Sequence, residues 1–357
     1  MIKLGGEKLA PQITCYPSYG FRTGSGDWLI NLLGITFQTP PLNLRQKMLL
    51  KLLGNAMKAN DAELQGETFR NRTRPFFFEA DKGQTMLAEF GDRILKLKKK
   101  SRRNGRFDNW LRIDNELVQQ NITVDSEHRQ LLNFTISTAH SDSQPIHCTV
   151  QLLSETGLSI ISDIDDTIKE SLVADRRELL MNTFVREFRS VEGMADIYRR
   201  WQDVGAIFHY VSSSPWQLFD SLQRMQNECG FPAGTMHLRN FRLRDQFLKR
   251  VMIRRKGKAT AIKRLVKNLP QHKFILIGDS GEKDPEIYQK FARRFPNQVQ
   301  GIFIRDLNSR PLASERIQKL SRAIGDERFG TYRTASELVD LAEPLVRMHA
   351  NAVAARV

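Results

Sequence analysis

Three carboxylates stand within four positions of one another, at Asp163, Asp165 and Asp166, directly after an apolar run at residues 158–162. The apolar run predicts a buried strand, and charged groups at the end of such a strand are costly to remove from water. A bound cation, a covalent step or both would account for them. The plain alternative is a solvated acidic turn.

Two later apolar runs, at residues 206–211 and 273–278, also end in polar side chains, and a lysine opens the helix between them. The side chains in question are Ser212, Asp279, Asp284 and Lys258. In a parallel sheet, ligands bind beyond the carboxyl ends of the strands. The chain order therefore predicts one site at one edge of a sheet. Ser213 or Ser214 can replace Ser212, and Lys256 competes with Lys258.

The spacing of these residues fits phosphoryl transfer. A carboxylate at Asp163 can attack phosphorus and form an aspartyl-phosphate. The carboxyl group of Asp165 can protonate the leaving oxygen and then activate water. The phosphoryl oxygens also need their charge neutralised.

A hard divalent cation would supply that neutralisation, and Mg²⁺ prefers one or two carboxylates together with water and substrate oxygens. Asp279, assisted by Asp284, is placed to complete such a site with Asp163. Ser212 and the ammonium group of Lys258 can hold the other side of the phosphoryl group.

These motifs resemble the four motifs of the haloacid dehalogenase superfamily of phosphohydrolases. The matching residues are Asp163, Asp165 and Thr167, then Ser212, then Lys258, and finally Gly278, Asp279 and Asp284. The resemblance implies that Asp163 is the nucleophile and Asp165 the general acid/base. It also implies a Mg²⁺ site formed by Asp163, Asp279 and Asp284, with Asp165 contributing its main-chain carbonyl.

A narrower resemblance is to the actin-patch-protein family of phosphatidate phosphatases. It is carried by residues 161–169, 193–198, 210–218 and 277–288, with weaker likeness at 16–20 and 74–76. The resemblance implies Mg²⁺-dependent hydrolysis of phosphatidate to diacylglycerol and phosphate. Because the chain lacks a long proline-rich tail, we expect a bacterial member.

From residue 158 onward, apolar strands alternate with helical segments, which is typical of βαβ units. We therefore predict an α/β fold over residues 153–357, with a Rossmann-like parallel sheet, similar to that of the haloacid dehalogenase superfamily, covered by helices on both faces. Residues 1–152 carry short strand-like runs and predict a β-rich, sandwich-like domain. One amphipathic helix, at residues 44–53 with Asn43 as its N-cap, interrupts these runs.

The chain has 357 residues, with 55 Lys and Arg against 40 Asp and Glu, so its formal net charge is +15. Such a charge attracts phosphorylated metabolites, nucleic acid or an anionic membrane. Basic residues gather around the predicted helix, at residues 96–106, which we interpret as a hairpin tip or exposed loop, and at residues 239–256. The oligomeric state is not readable from the sequence.

The location of the protein is predicted from features that the chain lacks. Its three cysteines, an odd number, suggest a reducing compartment. Residues 1–8 lack the apolar core of a secretory signal, and no run reaches the roughly 18 apolar residues of a membrane span. We therefore expect a cytoplasmic protein that can contact the inner membrane surface peripherally.

Three hypotheses follow from these observations. The first is a Mg²⁺-dependent phosphatase acting on a phospholipid headgroup. The second is a phosphatase of nucleic-acid ends or soluble phosphoesters. The third is a non-enzymatic protein that binds membranes or nucleic acid, which the complete set of Asp163, Asp165, Lys258 and Asp279 argues against.

Overall fold

A computed structural model describes residues 11–139, 143–172, 175–239, 257–308 and 311–354. Internal contacts divide the chain into two compact units. The first unit contains Met1–Lys47 and Arg74–Ser154, and the second contains Met48–Thr73 and Glu155–Val357. The predicted boundary after residue 152 lies two residues from the observed one. The two divisions differ over residues 48–73, which the prediction assigned to the first domain.

The first unit is built on a ten-stranded sheet. Its strands are β1 (Gln12–Cys15), β2 (Ser18–Arg22), β3 (Trp28–Gln38), β4 (Glu79–Ala80), β5 (Met86–Phe90), β6 (Arg93–Lys96), β7 (Arg106–Ile113), β8 (Ile122–Val124), β9 (Gln130–Thr138) and β10 (Ile146–Leu153). The main path runs β1-β3-β2-β10-β9-β5-β6, with β4 and β7 paired to β3 and β8 paired to β9. Among the strand pairs described in this sheet, β2–β10 is parallel and the others are antiparallel.

Alternate residues of these strands share one apolar core, to which Ile30, Phe107, Phe134 and Val150 contribute. Side chains that alternate in this way are typical of an antiparallel sheet with one buried face. The β-rich expectation for this part of the chain is confirmed. The basic run at 96–106 connects β6 to β7, which pair with different strands. It is therefore a loop and not the tip of a hairpin.

Helices separate some of these strands. They are α1 (Leu44–Met57), α2 (Asp61–Gln65), α3 (Glu67–Thr73) and α4 (Asn115–Asn121), and a 3-10 turn covers Arg74–Phe77. The predicted cap of α1 is confirmed, because the Gln46 N–H donates to Asn43 Oδ1 at 2.9 Å and the Asn43 N–H donates to Gln46 Oε1 at 3.0 Å. Such a reciprocal pair satisfies two amides at the start of a helix.

The second unit contains a six-stranded, fully parallel sheet. Its strands are β11 (Gly157–Ser162), β12 (Ile207–Pro215), β13 (Thr235–Arg239), β14 (His272–Asp279), β15 (Val299–Arg305) and β16 (Phe329–Tyr332). They lie in the order β13-β12-β11-β14-β15-β16. Central strands are buried along nearly their whole length, as expected when helices cover both faces.

The helices of this unit follow the strands in βαβ order. They are α5 (Arg176–Phe184), α6 (Met194–Asp203), α7 (Phe219–Glu228), α8 (Gly257–Asn268), α9 (Asp284–Arg294), α10 (Ser314–Ile324) and α11 (Ala335–Ala354), with 3-10 turns at Trp216–Leu218 and Asp326–Arg328. Helix α8 packs on β12 and β13, and α11 packs on β11, β15 and β16. The predicted α/β fold with a parallel sheet flanked by helices is confirmed.

Several sequence expectations concern residues outside the described ranges. They are the N-terminal segment 1–8, the competing lysine Lys256, and the basic stretch from residue 240 to residue 256. Within the described ranges, none of the helices combines the length and the apolar character of a membrane-spanning segment.

Candidate active site

The predicted site residues follow three neighbouring strands. β11 lies between β12 and β14 in the sheet, and all three strands run in the same direction. Asp163 comes directly after β11, Ser212 lies near the end of β12, and Asp279 is the last residue of β14. The Asp163 N–H donates to the carbonyl oxygen of Ile277 at 2.9 Å. This bond extends the pairing of β11 with β14 and holds the backbone of Asp163 in place.

An acidic cluster surrounds one buried lysine. Lys258 Nζ lies 2.8 Å from Asp163 Oδ1, 3.2 Å from Glu282 Oε2 and 2.5 Å from Asp284 Oδ1. The Glu282 N–H donates to Asp279 Oδ1 at 3.0 Å. We call the set of Asp163, Lys258, Asp279, Glu282 and Asp284 the acidic cluster; its members are buried except for Glu282, which is partly buried. The cluster thus contains four carboxyl groups and one ammonium group, and three of the four carboxyl groups form ion pairs with it.

Gly278 allows Asp284 to approach the strand end. A Cβ atom at position 278 would lie 2.4 Å from Asp284 Oδ2 and 2.8 Å from Asp284 Cβ. Atoms of a real side chain do not approach so closely, so any larger residue would push Asp284 away. The glycine of the fourth motif, Gly278, is therefore required on steric grounds, because it leaves room for Asp284.

The acidic cluster fits a divalent cation. Asp163, Asp279 and Asp284 each offer an oxygen, and these oxygens lie within 4.8 Å of one another. Asp163 Oδ2 and Asp279 Oδ2 are buried and have no hydrogen-bond partner among the described residues. The contact of Asp163 Oδ1 with Lys258 is an ion pair without hydrogen-bond geometry. Buried oxygens left open in this way suit Mg²⁺, which binds hard oxygen ligands.

Burial dominates the electrostatics of this cluster. Desolvation raises the pKa of Asp163 well above its ordinary value; Lys258 opposes this rise, and the neighbouring carboxylates add to it. Burial and the neighbouring carboxylates likewise raise the pKa of Asp279. The pKa of Asp284 rises to about 6, again chiefly because of burial. One lysine is too little positive charge for these carboxylates, so a bound cation would favour their ionised forms.

Asp165 lies in a second and different environment. Its Oδ1 is 2.9 Å from Lys169 Nζ and accepts a hydrogen bond from the Ser171 hydroxyl at 2.6 Å. Its Oδ2 accepts from Ser214 at 2.6 Å and from Ser212 at 3.2 Å. We call the set of Asp165, Lys169, Ser171, Ser212 and Ser214 the hydroxyl cluster.

The hydroxyl cluster stabilises a carboxylate. Burial raises the pKa of Asp165, but Lys169 and the hydrogen bonds from Ser171 and Ser214 outweigh it, so the pKa lies below its ordinary value. Hydrogen bonds donated to an ionised carboxylate favour the charged form. Asp165 is therefore ionised in this arrangement. Its side chain does not belong to the group of three carboxylates that could hold a cation.

Three consecutive serines point to different partners. Ser212 and Ser214 both donate to Asp165, and the Ser214 N–H donates to Ser212 Oγ at 2.9 Å. Ser213 donates instead to Glu282 at 3.0 Å. An irregular register between β12 and β13, from Val211 to Pro215, accompanies this arrangement. The structure thus brings Ser212 and Ser214 to Asp165, and Ser213 to the acidic cluster.

The third carboxylate of the opening motif shapes the turn. Asp166 has a positive φ of 57°, which an aspartate adopts more readily than most residues. Its Oδ1 accepts from the N–H groups of Ser171 and Leu172 at 2.7 and 2.9 Å, and Arg305 Nη1 donates to its carbonyl oxygen at 2.9 Å.

Lys169, Ser171 and Glu282 were not predicted from the sequence. A lysine and a glutamate are rarely buried, so neither attracts notice by its type alone. Their positions next to the first and fourth motifs are the only signal in the sequence. Two of them form ion pairs with predicted site residues: Lys169 pairs with Asp165, and Glu282 pairs with Lys258.

A cavity of about 560 Å³ adjoins the loop that carries Asp165 and Asp166. Its wall includes Asp166, Glu170, Arg186, Arg189 and Arg305. Glu187 lines the wall as well, so three guanidinium groups face three carboxyl groups and the lining carries no net formal charge.

Comparison with known proteins places this part of the chain. Residues 158–306 match the family model described as "Phosphatidate phosphatase APP1, catalytic domain". Phosphatidate phosphatase APP1 of Saccharomyces cerevisiae is 37% identical over 183 residues, which are 49% of this chain and 30% of that protein. An uncharacterized protein of Schizosaccharomyces pombe is 36% identical over 166 residues, which are 45% of this chain and 27% of the relative.

The matched region spans less than a third of these relatives. Both relatives are fungal, so the bacterial source stays a prediction. Among solved structures, the PilB minor pilin of Streptococcus sanguinis aligns with 86% of this chain and 98% of its own, at 8% identity and a TM-score of 0.27. A likeness at that level supports no conclusion. The matched segment contains all the predicted site residues, and residues 158–306 are similar to the catalytic domain of phosphatidate phosphatase APP1.

Proposed function

We propose that this protein is a phosphomonoester hydrolase that acts on phosphatidate and releases diacylglycerol and phosphate. One observation carries the proposal. Within the segment that matches the phosphatidate phosphatase catalytic domain, Asp163 Oδ2 and Asp279 Oδ2 are buried without a hydrogen-bond partner among the described residues, close to the buried ammonium group of Lys258. Buried ionisable groups with strongly shifted pKa values cluster at functional sites.

In the proposed reaction, Asp163 is the nucleophile. One of its carboxylate oxygens attacks phosphorus, the bond from phosphorus to the lipid oxygen breaks, and an aspartyl-phosphate forms. Water then attacks this phosphorus and restores the free carboxylate. Lys258, 2.8 Å from Asp163 Oδ1, is close enough to neutralise charge on the phosphoryl oxygens.

We propose Asp165 as the group that moves the proton. It is ionised where Lys169 and the hydroxyls contact it, which suits removal of a proton from the attacking water. To protonate the leaving oxygen, it must first take up a proton. That step requires the entering substrate to weaken some of these contacts, since they favour the charged form.

We propose Mg²⁺ as the cation held by Asp163 and Asp279, with Asp284 beside them and the main-chain carbonyl of Asp165 as a further ligand. The supporting observation is the group of three carboxylates with open oxygens. When bound, the ion would neutralise charge on the phosphoryl group. Asp284 Oδ1 lies 2.5 Å from Lys258 Nζ, so Asp284 is a counterion of the lysine at least as much as a ligand of the ion.

The proposed reaction requires an anionic phosphoester as substrate. A phospholipid headgroup and a soluble phosphoester share that chemistry. The family of the matched segment favours the lipid.

We further propose that α1 contacts an anionic membrane surface. Leu44, Met48 and Leu52 are one turn apart along the helix and are 81%, 67% and 52% exposed. Lys47 and Lys51 are exposed beside them, and the helix contains no acidic residue. Apolar side chains flanked by lysines are typical of helices that lie in a membrane interface.

A substrate panel tests the proposed function. The full chain is assayed for phosphate release from phosphatidate in mixed micelles, from a 3′- or 5′-phosphorylated oligonucleotide and from p-nitrophenyl phosphate, each with Mg²⁺ and with EDTA. We expect phosphatidate to be turned over fastest, only with Mg²⁺, and not by Asp163→Asn. Faster turnover of the oligonucleotide or the soluble ester would instead establish the second class of phosphatase. Turnover by Asp163→Asn would contradict the aspartyl-phosphate.

Vesicle sedimentation tests the membrane contact. Binding to vesicles of phosphatidylcholine with anionic lipid should fall when Met48 and Leu52 are both replaced by serine, and should weaken with salt. The matched control is Ile94→Ser, which removes an exposed apolar side chain from β6. Equal binding by all three proteins would refute the role of α1, while turnover of p-nitrophenyl phosphate should be unchanged in each.

A further inference from the structure

A buried arginine outside the matched segment reaches the loop of the active site through one aromatic ring. Arg72 belongs to α3, in the stretch Met48–Thr73 that groups with the second unit. It is only 5% exposed. An arginine is rarely buried unless its guanidinium is paired, so its partners indicate what it holds.

The guanidinium of Arg72 binds the end of α5 and the segment after it. It donates to the carbonyl oxygens of Thr183 and Arg186 and lies 3.4 Å from Glu187 Oε2. Burial lowers its pKa to about 10, so it remains charged at neutral pH. A charged donor to two carbonyls fixes this stretch of backbone more firmly than a neutral one.

The ring of Phe188 joins Arg72 to Lys169. The Arg72 Cζ atom lies 3.7 Å from the ring centroid, and Lys169 Nζ lies 4.7 Å from the same centroid. Both distances are within the range of a cation–π contact. The ring therefore limits where the ammonium group of Lys169 can lie.

Backbone contacts join the same two segments. The Glu170 N–H donates to the carbonyl oxygen of Arg189 at 2.9 Å, and the Val191 N–H donates to that of Ile168 at 2.9 Å. Lys169 and Ser190 form an antiparallel bridge. The segment that Arg72 holds is thus paired to the loop that carries Lys169.

Lys169 in turn holds Asp165. It is 1% exposed, its Nζ is 2.9 Å from Asp165 Oδ1, and it also donates to Ser171. An unbroken series of contacts therefore runs from Arg72 through Phe188 and Lys169 to Asp165. All four residues lie in the second unit, although the matched family segment begins only at residue 158.

We propose that Arg72 is a positioning residue for Asp165, acting through Phe188 and Lys169, so that the catalytic unit includes α3. The proposal rests on the proposed function for the role of Asp165 and deepens it. The alternative is that Arg72 only fastens α3 to α5. The two accounts differ in one respect: under the proposal, loss of Arg72 has no further effect once Lys169 is gone.

A double-mutant cycle measures that difference. Turnover of the preferred substrate is compared for wild type, Arg72→Ala, Lys169→Met and the double variant. We expect Arg72→Ala to lower kcat about tenfold with KM within about twofold, because it disturbs the proton-transfer group and leaves the acidic cluster intact. We expect the double variant to equal Lys169→Met, since residues that act as one unit are not additive. Multiplied losses would overturn the proposal.

The matched control is Arg70→Ala, two residues earlier on α3. Arg70 is exposed, so the variant removes the same charge from the same helix without touching the series of contacts. We expect wild-type kcat. A loss of kcat equal to that of Arg72→Ala would show that charge on α3, and not the contact with Phe188, is responsible.

Hydrogen exchange gives a readout that needs no activity. In Arg72→Ala, amides of residues 164–172 and 185–191 should exchange faster than in wild type, while those of β14 and α8 keep their rates. Unchanged exchange in residues 164–172 would overturn the proposal whatever the substrate. If the wild-type protein hydrolysed none of the phosphoesters, the proposed function would fail and this measurement would still decide the role of Arg72.

A second variant covers the case in which Arg72→Ala does not fold. Phe188→Leu keeps an apolar side chain and removes the ring over which both cations lie. It should lower kcat and raise exchange in residues 164–172 in the same way, again without added effect in Lys169→Met. Wild-type kcat and exchange in Phe188→Leu would refute the connection through the ring.

Discussion

Two aspartates separated by one residue have opposite surroundings. Asp163, in the acidic cluster, has open oxygens and a raised pKa, whereas Asp165, in the hydroxyl cluster, has filled oxygens and a lowered pKa. Both are buried, so burial alone does not explain the contrast. The contrast is explained by the number of cations and hydrogen-bond donors that surround each carboxylate.

The two clusters differ in whether they require a bound cation. The acidic cluster has one ammonium group for four carboxyl groups and is complete only with a further cation. The hydroxyl cluster has one ammonium group for one carboxylate and three hydroxyl donors. It needs no ion. A divalent cation should therefore bind on one side only.

The largest expected effect separates the two aspartates. Asp163→Asn should reduce kcat by at least about 10⁴-fold, as loss of a nucleophile does. Asp165→Asn should cost about 10²- to 10⁴-fold, as loss of a general acid/base does. Calorimetric titration with Mg²⁺ should show weaker binding in Asp163→Asn and unchanged binding in Asp165→Asn. Equal loss of binding in both would erase the distinction between the clusters.

Removal of the lysine tests the charge balance of the acidic cluster. Lys258→Met leaves several buried carboxylates without a counterion and should lower the free energy of unfolding by about 3 kcal/mol without divalent cations. Urea denaturation should show part of this loss restored by Mg²⁺. Lys263→Met, an exposed position on the same helix, serves as the control. No difference between the two variants would contradict the ion-pair geometry.

Gly278→Ala tests the acidic cluster by steric means. The added methyl group would displace Asp284, which should cost about 1–3 kcal/mol of stability and weaken the binding of Mg²⁺. The control is Gly257→Ala, where a Cβ would meet nothing within 4 Å. Thermal unfolding and the Mg²⁺ titration measure both effects. Retained Mg²⁺ affinity in Gly278→Ala would show that Asp284 does not contribute to the ion site.

The smallest expected effect concerns the hydroxyl cluster. Ser171→Ala removes one hydrogen bond to ionised Asp165 and should cost about 1.5 kcal/mol at neutral pH. The folded pKa of Asp165 is below its ordinary value, so its contacts stabilise the protein above the unfolded pKa of about 3.9 and are lost as the pH falls through the folded pKa.

The difference between Ser171→Ala and wild type should therefore shrink in acid. Urea denaturation at neutral pH and below about pH 3.9 measures it. Ser190→Ala is the matched control, since that serine lies in the neighbouring segment and contacts Lys169 through its backbone. A difference that is the same at both pH values would mean that Ser171 does not act on the charge of Asp165.

Much of the site was predictable, because the ends of parallel strands lie at one edge of a sheet. The position of a residue at a strand end can therefore be inferred from the sequence without knowledge of side-chain packing. The structure brings Asp163, Asp165, Ser212, Lys258 and Asp279 to one edge of the sheet, as their order along β11, β12 and β14 indicates. Their chemical roles remain predictions.

Other features depend on distant contacts and could not be predicted. Burial raises the pKa of Asp163 despite the opposing effect of Lys258, whereas Lys169 and the neighbouring hydroxyls outweigh burial and lower the pKa of Asp165. The burial of the two lysines is not visible in their residue type. The short strands β13 and β16 pair at the two edges of the sheet and carry little apolar signal of their own. The grouping of residues 48–73 with the second unit depends on contacts made more than 100 residues later.

That grouping has a consequence for synthesis on the ribosome. Arg72 and its partner Thr183 are 111 residues apart, so α3 is made long before its binding partners. At about 5–20 residues per second, the delay is on the order of 10 s. During this time Leu53, Met57 and Phe69, all buried in the folded protein, lack their final neighbours. We expect a nascent chain halted before residue 183 to bind chaperones through this segment.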